Sequence, residues 1–133
     1  MEPNPDSDFD VTKIMDEVPF GKRPKFYEFK NQTSPLLYTN EFGSNLLMTY
    51  ICHAEGKARA STIRSILLQK PGIDVNAQQS SDWCALQYAA YTQSDFSVFR
   101  CLIEEFHALV TFEDKMGNNL LEKYLQRQSQ LMT

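Results

Sequence analysis

The side chains best suited to chemistry in this chain are three cysteines, two histidines and one pair of adjacent glutamates. A nucleophilic cysteine needs a base and an orienting group within reach. A metal site needs clustered Cys, His, Asp or Glu. Cys52 and His53 are neighbours in sequence, so on a helix they point in different directions. His107 is far away and falls near a loop. Cys84 and Cys101 lie in apolar helical patterns, where a free thiol behaves as a small buried hydrophobe. Glu104-Glu105 reads as the solvated face of a helix. No glycine-rich phosphate loop is present. The expectation is a non-enzymatic chain with no cofactor, no metal and no small-molecule substrate.

Composition narrows the remaining classes. The 133 residues suffice for one small domain, and 42% hydrophobic with 23% charged residues is ordinary for a globular protein. A formal charge of -4 and a pI near 5.1 argue against a nucleic-acid partner held by phosphate contacts. No run of about 18 apolar residues exists, which argues against a membrane span. The acidic Met1 to Asp10 lacks the pattern of a secretory leader. Three cysteines without close spacing make a poor disulfide framework, so the compartment reads as reducing, cytoplasmic or nuclear. Outside a secretory route, the sequon Asn31-Gln32-Thr33 carries no meaning.

Any site in such a chain depends on the helices and turns around it. Residues 1-18 form an acidic N-terminal arm, with Glu2, Asp6, Asp8, Asp10, Asp16 and Glu17 against Lys13. Met1 to Asp8 is expected to be disordered. Val11 to Val18 can form a short helix on Val11, Ile14, Met15 and Val18. The arm reads as solvated, with a partner-binding arm as the alternative. Residues 19-37 reverse the charge, with Lys22, Arg23, Lys25 and Lys30 interleaved with Phe20, Phe26, Tyr27 and Phe29. Basic residues among aromatics can stack on single-stranded nucleic acid. The stronger reading is a cap in which the aromatics cover the apolar end of the helical region beyond residue 37. Lys22-Arg23-Pro24-Lys25 as a nuclear-localisation signal is weaker still.

From Asn40-Glu41-Phe42-Gly43, a turn signal, the pattern changes to helical hairpins. The periodicity predicts a helix over Asn45 to His53 with Leu46, Leu47, Tyr50 and Ile51 on one face. A second helix spans Ile63 to Gln69, capped by Ser61 or Thr62 and stopped by Pro71-Gly72. The next hairpin has helices over Cys84 to Tyr91 and Phe96 to Phe106, the latter capped by Ser94 or Asp95. A last helix covers Asn119 to Gln126. Leu47, Leu86 and Leu121 are spaced by 39 and 35 residues, near the roughly 33-residue period of ankyrin repeats.

The chain resembles the ankyrin family at specific places. Asp114-Lys115-Met116-Gly117-Asn118-Asn119-Leu120-Leu121 looks like the opening D-x-x-G-x-T-P-L. Cys84-Ala85-Leu86-Gln87-Tyr88-Ala89-Ala90 looks like T-P-L-H-x-A-A, and Ile73-Asp74-Val75-Asn76 looks like the closing A-D-V-N. The resemblance spans about residues 38 to 126. It implies an all-α fold, a short ankyrin-repeat solenoid of about three divergent helix-turn-helix repeats over 38-133 (about 38-76, 77-111 and 112-133), the last incomplete. Gly43 and Gly117 allow a tight turn with positive φ, and small Ala89 and Ala90 let repeats approach. The T-P-L-H tetrad is intact nowhere: Asn45, Cys84 and Asn119 replace Thr, and Met48, Gln87 and Glu122 replace His. Tyr50-Ile51 and Tyr124-Leu125 replace the small Ala-Ala pair. These departures are most similar to the divergent ankyrin repeats of poxvirus host-interaction proteins, or to the short inhibitor-of-kappa-B-like ankyrin proteins of polydnaviruses.

That resemblance implies a protein partner, such as an NF-κB-type factor or a ubiquitin-ligase component, met in the host cytoplasm. Partners in the family dock on turn tips and on the exposed ends of first helices. Carried over residue by residue, the first set is Phe42 and Ser44, with Glu41, Cys52 and His53 beside them. The second is Ser80, Ser81, Trp83, Tyr91 and Thr92. The third is Lys115, Met116 and Asn118, with Gln126 and Arg127. Trp83, the only Trp, is the natural hot spot. The alternative is that it folds back over Phe42 or Met116. Two other readings stay open: a truncated or degenerate array with no independent function, and a fragment of a cellular ankyrin scaffold.

Overall fold

The computed structural model describes residues 10–69 and 72–110, and within them the regular structure is entirely helical. The third repeat expected over 112-133, with Lys115, Met116, Asn118 and Gly117, lies outside the described residues, as do Met1 to Asp8 and Pro71.

Four helices form two stacked pairs. The first pair is α3 (Leu46–His53) and α4 (Ala60–Leu67). The second is α5 (Ala85–Tyr91) and α6 (Phe96–Arg100), the latter running directly into a π-turn over Cys101–Glu105. α3 packs on α5, and α4 packs on α6 and on the π-turn. Three of the four starts have a local cause. The Asn45 side-chain oxygen accepts from the Met48 N–H at 3.0 Å, a cap that answers a free donor of the first turn. The Gln87 side-chain oxygen accepts from the Cys84 N–H at 2.8 Å. Asp95 caps α6 by accepting from the Ser97 N–H at 3.0 Å. The α4 start departs from expectation. It begins at Ala60, its N-cap is Arg59, and no side chain caps it.

α3 is buried on every side from Leu46 to Ile51, beyond the single apolar face its periodicity suggests. Neighbours on three sides explain this: α4, α5 and the N-terminal 3-10 helix Phe20–Phe26. A helix so enclosed must be apolar all round. Phe26 and Phe29 are fully buried, while Phe20 and Tyr27 stay exposed. Two of the four aromatics of residues 19-37 therefore cover the end of the first pair. Phe29, on the short α2 (Tyr27–Lys30), meets Tyr38 edge-on at 5.2 Å between centroids.

The acidic arm differs from a solvated one over its second half. α1 (Val11–Met15) buries Val11, Ile14 and Met15, and Val18 follows them into the core. Glu17 ties this segment down. Its carboxylate accepts from the Tyr50 hydroxyl and from the Thr62 hydroxyl, each at 2.6 Å. The Tyr50 oxygen in turn accepts from the Arg59 N–H at 2.7 Å. Thr62, a candidate cap in the sequence, is thus bonded to the arm. Burial, and then the carboxylate of Glu17, push the Tyr50 phenol above its usual range.

Candidate interaction surface

The turns that precede the two pairs are built alike. Asn40 and Gln79 lie 39 positions apart, matching the offset between Leu47 and Leu86. The Asn40 N–H donates to the Ser44 carbonyl at 3.0 Å, and the Gln79 N–H donates to the Trp83 carbonyl at 2.9 Å. The Asn40 side-chain oxygen accepts from the N–H groups of Phe42 and Ser44. The Gln79 side-chain oxygen accepts from Ser81 and, at 3.5 Å, from Trp83. Gly43 has φ +77° and Asp82, at the equivalent place, +67°. Asp tolerates this left-handed region better than most residues. The two tips also touch, because Ser80 donates to the Phe42 carbonyl from its N–H at 2.9 Å and from its hydroxyl at 2.5 Å.

These turns place the candidate residues unequally. Phe42 is 60% exposed and Tyr91 is 73% exposed. Ser80 and Ser81 are exposed, with Ser80 held to the first tip. Ser44 is buried, with 7% exposure. Thr92 is half-buried and its hydroxyl donates to the Tyr88 carbonyl at 2.8 Å, so it serves the end of α5. Trp83 is half-buried. It does not lie over Phe42. Its ring packs 5.1 Å from Tyr88 and 5.5 Å from Tyr91 between centroids. The three rings make one aromatic ledge at the tip of the second pair, and the Gln79 amide fixes Tyr88 by donating to its hydroxyl at 3.0 Å.

Beside this ledge lies a groove of about 330 Å³. It is lined by Lys25 and Glu28, by Asn40, Phe42 and Ser44 of the first turn, by Met48, Thr49, Cys52 and His53 of α3, and by Gln79 and Tyr88. His53 is half-buried and meets Phe26 edge-on at 6.1 Å. Burial holds its imidazole below the usual range, and the nearby charges of Lys22 and Lys25 push the same way. Lys25 stands out only as part of the basic, aromatic segment, and Met48, Gln79 and Tyr88 carry no site signal of their own in the sequence. The matching of Asn40 with Gln79 at the repeat offset is the signal that could have drawn attention to the last two.

Catalytic geometry does not emerge at the cysteines. Cys84 and Cys101 are 1% exposed, Cys52 is half-buried, and none is in a disulfide. Burial raises all three thiols above their usual range, with the Glu105 charge adding to the effect at Cys101. A raised thiol is a poor nucleophile at neutral pH. Among the described residues, no three His, Cys, Asp or Glu side chains group as a metal site. Nor is any helix among them long and apolar enough to cross a membrane. In comparisons with known proteins, no family model, no curated protein and no solved structure matches the chain.

Proposed function

We propose that this chain is a non-enzymatic protein-interaction module, built as a divergent ankyrin-repeat array whose turn tips and groove form the recognition surface. The observation that carries the reading is the aromatic ledge of Trp83, Tyr88 and Tyr91 beside exposed Phe42. Tyr91 and Phe42 are exposed and Trp83 and Tyr88 half-buried, and clustered, partly accessible aromatics are the usual anchors of protein interfaces. The repeat reading is supported by the equivalent turns at Asn40 and Gln79 and by the stacking of α3 on α5 and α4 on α6. A further tie spans 33 positions: the Asn76 side chain accepts from the Leu109 N–H at 2.8 Å, joining the closing segments of successive pairs.

In the fuller form of the proposal, the protein is a viral host-interaction factor that acts in the host cytoplasm on an NF-κB-type factor or a ubiquitin-pathway component. Affinity capture from host-cell lysate tests it, with the wild type and Trp83→Ala compared by mass spectrometry. Trp83 is half-buried on other aromatics, so its removal is expected to leave the fold intact and to cost partner capture. A protein lost selectively with Trp83→Ala, whose melting temperature stays near that of the parent, is the expected result. No protein enriched on either form would sink the interaction-module reading.

A further inference from the structure

We propose that Ser61 is a phosphorylation site for a protein kinase that selects basic substrates, and that the phosphate loosens the N-terminal arm from the first helical pair. The inference goes beyond the interaction-module reading and stands apart from it. The approach to Ser61 is basic. Lys57 lies four positions before it and Arg59 two, both exposed and neither ion-paired among the described residues. Residues 57–59 lie outside any helix, and Arg59 is extended at φ -109° and ψ 135°. Kinases choose substrates partly by such charge patterns around the acceptor. Ser61 itself is exposed in the first turn of α4, which no side chain caps, and helix ends of this kind fray. The neighbouring hydroxyls are less suited. Thr62 is half-buried and its hydroxyl donates to Glu17 at 2.6 Å. Ser65 stands a turn further into α4 and follows Arg64, whose guanidinium is engaged by Glu105.

Added charge at Ser61 has a consequence for the arm. Ser61 and Thr62 line a recess of about 170 Å³ together with Asp10, Lys13 and Glu17 of the arm. Two carboxylates there stand against one ammonium. In the transfer, Ser61 Oγ bonds to the γ-phosphorus of ATP and the bond from that phosphorus to the bridging oxygen breaks. The hydroxyl proton passes to the kinase's carboxylate base, and ADP leaves. The phosphoserine carries a charge of about -1.5 to -2. Lys13 attracts it while Asp10 and Glu17 repel it, so the net effect on the arm is repulsion. α4 is not unwound, because an anion in the first turn meets the positive end of the helix. The loss therefore falls on the arm, which is joined at this place by the bonds that Glu17 accepts from Tyr50 and Thr62.

The test treats the full chain with ATP and the catalytic subunit of cyclic-AMP-dependent protein kinase, and locates the phosphate by mass spectrometry. Phosphate is expected at Ser61, with that modification lost on Ser61→Ala and cut by about tenfold or more on Arg59→Ala. Both are exposed positions whose replacement leaves the fold intact. Amide hydrogen exchange then compares the phosphorylated and untreated chains. Exchange over residues 11–18 is expected to speed by about tenfold or more, while exchange over α5 stays within about twofold. No phosphate at Ser61, or Arg59→Ala modified as readily as the parent, overturns the site. A phosphorylated Ser61 with exchange over residues 11–18 unchanged overturns the loosening of the arm. None of these results depends on whether the turn tips bind a partner, so this inference and the interaction-module reading fail separately.

Discussion

Glu17 is the point at which the N-terminal arm is joined to the first helical pair, and its removal has a magnitude that can be worked out. Its carboxylate accepts two O–H donors at 2.6 Å, one from Tyr50 and one from Thr62. Hydrogen bonds to a charged acceptor contribute about 1.5–3 kcal/mol each. The Tyr50 ring is fully buried, so its hydroxyl proton has little access to water once the carboxylate is gone. Thr62 is half-buried and recovers part of its loss from solvent. Glu17→Ala should therefore cost about 2–4 kcal/mol. Tyr50→Phe keeps the ring but removes the acceptor of the Arg59 N–H as well as a donor to Glu17, for about 1–3 kcal/mol. Thr62→Val should cost about 1 kcal/mol.

Urea denaturation followed by circular dichroism measures all three, and a double-mutant cycle between Glu17→Ala and Tyr50→Phe isolates the shared bond at about 1–2 kcal/mol of coupling. A domain of this size has about 5–15 kcal/mol in all, so the Glu17 loss would show as a fall in melting temperature of roughly 10 °C or more. A Glu17→Ala cost below about 0.5 kcal/mol, the level of an ordinary surface change, with no coupling to Tyr50→Phe, would refute the reasoning. The arm would then be an incidental contact, held by Val11, Ile14, Met15 and Val18 alone.

Three further outcomes test the packing. Ala89 is fully buried on α5, so Ala89→Glu places a charge in the core without a partner; it should fail to give a cooperative melt, and a variant melting like the parent would contradict the stacked pairs. A Cβ on Gly56, at φ +88°, would meet the Thr92 carbonyl oxygen at 2.8 Å, whereas one on Gly21 would meet nothing within 4 Å. Gly56→Ala should thus cost about 1–3 kcal/mol in urea unfolding and Gly21→Ala close to nothing, and equal effects would place the strain elsewhere. His53 is held below its ordinary 6.5 by burial and by Lys22 and Lys25, against a smaller opposing effect of Glu55. The unfolded chain therefore binds the extra proton first, and stability should fall as pH drops through about 6.5 toward the folded value. The urea midpoint of His53→Gln, compared with the parent at pH 7.5 and 5.5, should show a smaller acid loss; identical losses would exclude His53 as the cause.

Short-range signals carried most of what was legible in the sequence. Asp95, a candidate cap in the sequence, caps its helix through a bond that closes within three residues, as a polar residue before an apolar run signals, while Asn45, read as the first residue of its helix, is instead that helix's cap. The helical hairpins followed from apolar spacing for the same reason. What escaped reading is long-range. Thr62 has the right chemistry and position for a cap, but its hydroxyl bonds to Glu17, 45 positions away, and no periodicity reports that contact. The all-round burial of α3 depends on three neighbours at once. The π-turn at Cys101–Glu105, where the Phe106 N–H donates to the Cys101 carbonyl at 3.2 Å, adds one residue to a helical turn without any marking side chain. Of the candidate site, exposed Phe42 and Tyr91 were legible as tip residues. The groove was not, because Lys25 and Tyr88 come from segments joined only by the fold.

Short-range bonds brace each of the two helical pairs. Here amide side chains stand at the helix starts and at the turns. Asn45 and Gln87 answer the first-turn donors within their own helices, and Asn40 and Gln79 each brace the turn that precedes. Each unit then holds its own turn and helix start. Beyond the packing of α3 on α5 and α4 on α6, the units are coupled by Ser80 on Phe42, Asn76 on Leu109, and the bidentate pair of Arg64 with Glu105 at 2.8 and 2.7 Å. The first two are contacts to backbone groups, which any sequence supplies. Such contacts ask for no particular side chain at the partner position. That is a physical reason why the turn geometry repeats at 39 positions although the residues that make it, Asn40 and Gln79, Gly43 and Asp82, do not.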